Sequence, residues 1–264
     1  METGRHKRRD SFDFRNLVIL DLANNHQGSV THGSEIIKQH SKVAEPFEYR
    51  LAFKFQFRDL DTFVHKDQLK KSDNKHVDRF LSTRLEWNEF ADLLALIKRL
   101  DCISICTPFD EASVSRVVEM GFDAIKVASC SATDWPLLEA VSRSQLPAII
   151  STGSLSIEQI DDVVSFFSHR GCDFGLMHCV SIYPTAPSDC NLRNISMMQE
   201  RYPGVAIGWS THEDPDSVYP AVVARTLGAA MLERHVGIKT SAISLNSYSS
   251  TPEQVTKWLQ AIKS

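Results

Sequence analysis

A surplus of charge of either sign is missing from this chain. Its 264 residues carry 29 Lys and Arg against 33 Asp and Glu, a formal net charge of −4. That balance excludes the electrostatic footprint of a nucleic-acid or anionic-membrane partner. No apolar stretch is long enough to span a bilayer, and the N-terminus lacks the apolar core of a signal peptide. The expected location is therefore the cytoplasm. The six cysteines, at 102, 106, 130, 172, 179 and 190, include no Cys-x-x-Cys pair, which argues against a zinc-thiolate site. Cys102, Cys106 and Cys179 fall in apolar runs that suit reduced, buried thiols. Internal repeats, linkers and shifts of composition are also lacking, so no second domain is expected.

What the chain does have is an alternation. Eight short β-rich runs, at 17–23, 51–57, 103–109, 124–129, 147–153, 174–181, 206–212 and 231–236, are interleaved with helical patterns. The clearest of those patterns are 88–100, 111–120, 157–169 and 217–227. A final helix, 251–263, opens with Thr251, a good N-cap, followed by Pro252 at its first position. Strand–helix alternation means a parallel sheet, and eight units predict an α/β fold of the (β/α)8 TIM-barrel type, with an open doubly wound sheet as the alternative. The barrel is placed at 17–264, after a polar leader, 1–16, whose basic run His6–Arg9 reads as a solvated tail. One polar connection, 58–87, breaks the rhythm on the face where barrel active sites form, and a connection of that length reads as a lid or binding loop.

Polar residues gather at the strand ends. In the second run Leu51 and three phenylalanines share one face, so Lys54 and Gln56 should point into the barrel. A buried lysine needs an anion, either a ligand or an inward carboxylate such as Asp21. Lys126 faces inward in the same way, ahead of Ser129, and the fifth run ends in Ser151-Thr152-Gly153. Two inward lysines with hydroxyls and a glycine suit a phosphate and a carboxylate held together. The seventh run places Gly208, Ser210 and His212 on one face, and the eighth places Glu233 and His235. A lone barrel histidine reads more readily as a hydrogen-bonded core residue, but two on adjacent strand ends, each beside a polar inward residue, favour a pair of ligands to a divalent transition metal. His26 either joins this face or caps the next helix, and His178 reads as inward packing.

Taken in order, these segments resemble the catalytic barrel of the sialic acid synthase family. The matching motifs are Asn25-His26-Gln27-Gly28, Lys54-Phe55-Gln56, Thr107-Pro108-Phe109, Lys126-Val127-Ala128-Ser129 and Ser151-Thr152-Gly153. His178-Cys179 with Tyr183-Pro184-Thr185, Gly208-Trp209-Ser210-Thr211-His212 and Glu233-Arg234-His235 complete the set. The resemblance implies condensation of phosphoenolpyruvate with an aldehydic amino sugar or related sugar to a 2-keto-3-deoxy sugar acid, with release of phosphate. It assigns phosphoenolpyruvate to Lys54, Gln56, Lys126, Ser129, Ser151, Ser181 and Ser210. Catalytic roles fall on Asp21, Glu233 and Tyr183. A divalent metal, manganese with magnesium or cobalt as alternatives, falls to His212 and His235.

The sugar would meet Asn25, Arg79, Arg84, Ser131 and Asn246. On this side the sequence departs from the family pattern. Asp21 and Ser131 stand where the family has Glu, Cys130 replaces a Gly, and Asn246 replaces an Asp. The family's C-terminal antifreeze-like domain, which lends an Arg to a partner's site, has no counterpart in the sequence. A homo-oligomer is expected, with the 58–87 connection and its Arg79 and Arg84, or a separate chain, closing the site. A related barrel aldolase or lyase, or a non-catalytic binding subunit, are the competing readings.

Overall fold

The computed structural model describes residues 11–69 and 74–263; the basic run His6–Arg9 lies outside the described residues. Eight parallel strands close in chain order: β1 (Leu17–Asp21), β2 (Arg50–Phe57), β3 (Ile103–Pro108), β4 (Ala124–Val127), β5 (Ala148–Ser151), β6 (Phe174–Cys179), β7 (Ala206–Thr211) and β8 (Met231–His235). β1 pairs with β8 over Leu17↔Met231 to Asp21↔His235, which shuts the ring and excludes the open sheet. The fold is a (β/α)8 TIM barrel.

Among the described residues ten α-helices accompany the strands. They are α1 (Val30–Ala44), α2 (Leu60–Phe63), α3 (Lys75–Ser82), α4 (Trp87–Arg99), α5 (Glu111–Met120), α6 (Trp135–Arg143), α7 (Ile157–His169), α8 (Arg193–Arg201), α9 (Tyr219–Thr226) and α10 (Pro252–Lys263). Their starts follow local chemistry. Asp110 accepts from Ser113 N at 2.7 Å to open α5, and Gly121, at φ 73°, closes it in the left-handed conformation that favours glycine. Ser156 and Gln159 form a reciprocal capping box on α7. At α10 Thr251 accepts from Gln254 N, as its sequence predicts.

Strand parity sorts the side chains. Phe53, Phe55 and Phe57 are fully buried on the outer face of β2 and pack against Trp87, Phe90 and Phe122. Inward residues fall into two layers. The lower one is apolar: Leu17, Ile19, Ala52, Ile105, Ala124, Ile149, Met177 and Met231. The upper one, at the C-terminal ends of the strands, is polar. Phe14 plugs the lower layer from below and is 8% exposed, while Phe12 N and Ser11 Oγ donate to Asp173. Part of the segment read as a leader is thus the barrel's floor. Cys106 and Cys179 are buried as expected, and Cys102 is half-buried.

His178 departs from its sequence reading. On β6 the inward positions are Met177 and Cys179, so His178 faces outward, against Trp209, with Nε2 donating to the Cys190 carbonyl at 2.9 Å. The 58–87 connection is not an irregular loop. It folds into α2 and α3, and Phe63 holds it down by edge contacts with Phe80 and Phe109.

Candidate active site

The polar layer opens into a cavity of about 530 Å³ at the C-terminal mouth of the barrel. At its base Lys54 Nζ lies 3.1 Å from both Asp21 Oδ2 and Glu233 Oε1. Lys126 Nζ stands 3.7 Å from Glu233 Oε1 and donates to Ser151 Oγ. Ser210 Oγ donates to the same Glu233 oxygen at 3.0 Å. All four charged groups are at most 4% exposed. Lys54 is therefore not the unpaired cation that an anion site requires by itself; it is shared between two carboxylates, as the ion-pair reading had it. Burial works against each ionised form here, but the opposed charges win at three of the four. Lys54 is held above the ordinary lysine range, and Asp21 and Glu233 below the carboxylate range. At Lys126 burial prevails over Glu233 and its pKa is lowered.

Above this base several polar atoms lack a partner within the protein. Glu233 Oε2 and Thr107 Oγ1 are buried without a hydrogen-bond partner, and each belongs to a residue lining the cavity. Buried polar atoms without partners are rare, and at a cavity wall they mark where a ligand or water completes the set. On the β4–β5 side Ser129 Oγ accepts from Gly153 N at 3.1 Å and meets Cys179 Sγ at 3.0 Å. A Cβ at Gly153 would fall 2.7 Å from Ser181 Oγ and 2.9 Å from Ser129 Oγ. Glycine lets Ser129, Cys179 and Ser181 approach the backbone this closely.

His212 and His235 sit side by side with ring centroids 5.4 Å apart, and Tyr248 packs edge-on against both. His212 Nδ1 donates to the Val180 carbonyl at 3.2 Å, which leaves the lone pair on Nε2. His235 Nδ1 is 3.4 Å from Asp21 Oδ2. Burial keeps both rings neutral, with His212 pushed down to about 3 and His235 lowered. Neutral, adjacent imidazoles with a carboxylate behind one of them are what a divalent metal needs. Among the described residues no group of three or more His, Cys, Asp or Glu is placed to hold a metal ion.

Of the residues predicted from sequence, Asp21, Lys54, Gln56, Arg79, Lys126, Ser129, Ser151, Ser181, Tyr183, Ser210, His212, Glu233 and His235 all line this one cavity. Four do not. Asn25 is buried at the seam, with Nδ2 donating to the Val236 carbonyl at 2.8 Å and to Ser249 Oγ at 3.0 Å. Arg84 is spent on Asp61 and Glu86 at the surface. Ser131 is buried below the rim, where Cys130 takes the lining position. Asn246 accepts from Tyr248 N at 3.1 Å and braces its loop. His26, whose role was open, accepts from Gly28 N at 3.2 Å and packs on Phe90. Sequence reasoning passed over Thr107, Arg58 and Tyr248. Parity points to the first two, since Thr107 is in register with Gln56 and Arg58 lies two residues beyond Gln56. Tyr248 gave no signal, because the bridge Val236↔Ser250 folds its aperiodic segment back over the mouth.

Residues 51–264 match the NeuB family. The chain is 32% identical to the N-acetylneuraminate-9-phosphate synthase of Drosophila melanogaster, covering 85% of this chain and 60% of that protein. Among solved structures, a Chromobacterium violaceum protein assigned to spore coat polysaccharide biosynthesis, protein E, superposes with a TM-score of 0.92 at 45% identity. That match covers 94% of this chain and 74% of the other. The N-acetylneuraminic acid (sialic acid) synthetase of Leptospira borgpetersenii, in complex with citrate, superposes with a TM-score of 0.81 at 25% identity, over 93% of this chain and 82% of that one. The chain spans about three fifths of the length of the first curated relatives it matches (61% and 60%).

Proposed function

The chain belongs to the NeuB family, and from that premise we propose that it is a sugar acid synthase, joining phosphoenolpyruvate to an aldehydic sugar and releasing phosphate and a 2-keto-3-deoxy sugar acid. One observation carries this reading. Two inward lysines flank Glu233 beside the hydroxyls of Ser129, Ser151 and Ser210, all lining one cavity. An anion entering that cavity meets the Lys126 ammonium, whose pKa burial lowers despite Glu233, beside the Ser129 and Ser151 hydroxyls. Such preorganised donors are how a site stabilises a leaving phosphate.

The carbon–carbon bond forms between the enol carbon of phosphoenolpyruvate and the aldehyde carbon. Water then adds to the carbon that bears phosphate, and the tetrahedral adduct loses inorganic phosphate. Glu233 Oε2, unpaired and facing the cavity, accepts a hydrogen bond from that water. Held below the usual carboxylate range by Lys126 and Lys54, it orients the water, whose proton goes to the alkoxide oxygen left by the aldehyde. Lys54 keeps Asp21 and Glu233 ionised and in place. Tyr183, whose ring lies 4.3 Å from that of His212, walls the side on which the sugar approaches. His212 and His235 would hold a divalent metal, manganese above all, which supplies Lewis-acid polarisation of the aldehyde.

The test is phosphate release from phosphoenolpyruvate and Mn²⁺ with a panel of aldehydic sugars, followed by mass analysis of the product. Release tied to a new keto acid is expected. Cleavage of phosphoenolpyruvate without a carbon–carbon bond, or none with any sugar, would refute the assignment.

A further inference from the structure

The β2–α4 connection adds two cations, Arg58 and Arg79, to the cavity lining, and neither takes part in the ion pairs of its base. Arg58 lies four residues beyond Lys54, about 13 Å further along extended chain. Its guanidinium is held between two aromatic rings, with Cζ 4.1 Å from the Phe80 centroid and 3.8 Å from that of Phe109. Nη2 donates to Gln56 Oε1 at 3.1 Å, while Nε is buried without a partner. Burial lowers its pKa to about 10, so it remains charged at neutral pH. Arg79, from α3, lines the same cavity. Among the described residues no carboxylate lies within ion-pair distance of either guanidinium.

The charges elsewhere make this distinctive. Among the described residues the carboxylates lining the cavity are Asp21 and Glu233, and Lys54 and Lys126 match them one for one. Arg84, on the same connection, is neutralised by Asp61 and Glu86. Two positive charges in the lining are left over. A guanidinium stacked on both faces presents only its edge, a planar fork that fits two oxygens of a carboxylate or phosphate. One nitrogen of that fork is already buried and unpaired, so no desolvation of a rival partner opposes binding.

We propose that Arg58, with Arg79 beside it, recognises an anionic group on the acceptor, so that the sugar aldehyde carries a carboxylate or phosphate of its own. This rests on the synthase reading above. The lysine–serine base already serves the anions of phosphoenolpyruvate, and Arg58 stands one side chain away from it, joined to Asp21 only through Gln56.

The experiment compares acceptors in matched sets of three: a neutral aldose, its terminal phosphate and its uronate, over several chain lengths and stereochemistries. Phosphate release with wild-type protein should favour an anionic member over its neutral counterpart by about tenfold or more in kcat/KM, the effect of one charge-assisted contact. Whether the phosphate or the uronate leads identifies the anion. Arg58→Gln should abolish the preference and raise KM for the acceptor far more than KM for phosphoenolpyruvate; Arg58→Lys should restore part of it. Equal use of neutral and charged acceptors, or an equal rise of both KM values in Arg58→Gln, would overturn the proposal. If Arg58→Gln does not fold, Arg79→Gln and Arg58→Lys are read in the same way. No release with any acceptor overturns the synthase reading instead. Calorimetry with glucose, glucose 6-phosphate and glucuronate then decides the subsite alone: tighter binding of a charged member that Arg58→Gln removes supports it, and equal binding rejects it.

Discussion

Lys54 and Lys126 look interchangeable in the sequence, each an inward lysine on a strand between apolar neighbours, but the barrel treats them differently. Lys54 is locked between Asp21 and Glu233, whereas Lys126 donates to a serine and stands farther, at 3.7 Å, from the same Glu233 oxygen. Lys126→Met should therefore weaken phosphoenolpyruvate binding about 10- to 100-fold, the loss of about 1.5–3 kcal/mol, with little change in melting temperature. Lys54→Met should instead unfold early, by on the order of 3 kcal/mol, because it leaves two buried carboxylates facing each other. Calorimetric titration and thermal melts of the two variants separate these outcomes; identical behaviour would show that the ion pairs do not decide their roles. His212→Ala and His235→Ala should each abolish Mn²⁺-dependent activity and lower Mn²⁺ affinity measured by calorimetry, with circular dichroism unchanged. Activity that survives both changes under a strong chelator would remove the metal from the site. The residues that parity could reach were legible beforehand. Asn25, Arg84, Ser131 and Asn246 were chosen by position or charge in segments with no period, where nothing in the sequence says which way a side chain turns.

Individual elements carry two further expectations. The turn after β5 works because Gly153 has no side chain, so Gly153→Ala should push Ser129, Cys179 and Ser181 apart and damage phosphoenolpyruvate binding at least as much as Lys126→Met. A wild-type KM in that variant would mean the anion does not sit beside those side chains. Buried histidines set the acid limit. His40 on α1 is fully buried, with Nδ1 donating to the Ile36 carbonyl at 2.8 Å, and burial lowers its pKa to about 4; His26 is lowered to about 4 in the same way. The unfolded chain, with histidines near 6.5, binds more protons than the folded one between those values. Stability is thus complete above about pH 6.5 and falls as pH drops towards 4, by up to about 1.4 kcal/mol per pH unit for each group. Melting temperature should decline through that window, and His40→Gln should flatten the slope. The alternation of strand and helix was plain in the sequence because hydrophobic period reports burial directly. The α2–α3 connection was not, since its short helices have one apolar edge, Phe63 and Phe80, that only Phe109 gives a reason to fold down.

Across the molecule the barrel has a floor and a mouth with different duties. The floor is stability alone. Phe14→Ala should cost about 3–5 kcal/mol, the usual range for a buried phenylalanine, and leave KM for both substrates unchanged. A catalytic defect in a folded Phe14→Ala protein would show that floor and mouth are coupled. Closure of the ring was legible from the count of eight strand–helix units. The plug was not, because a phenylalanine in a polar stretch gains its meaning only from a hole that distant strands create.

The seam between β1 and β8 also sets a timetable. Asp21 and His235 become neighbours only when the first strand meets the last, and the Asn25 amide that fastens them reaches a carbonyl 211 residues away in sequence. A chain leaving the ribosome has all its early ligands waiting, with Lys54 and Asp21 unable to share Glu233, until β8 emerges. Such long-range closure is slow, because its entropy is lost before any contact returns it. The nascent protein must therefore hold an incomplete ring with two open strand edges for most of its synthesis. Its vulnerability to misassembly is concentrated in that interval and ends when the seam is stitched.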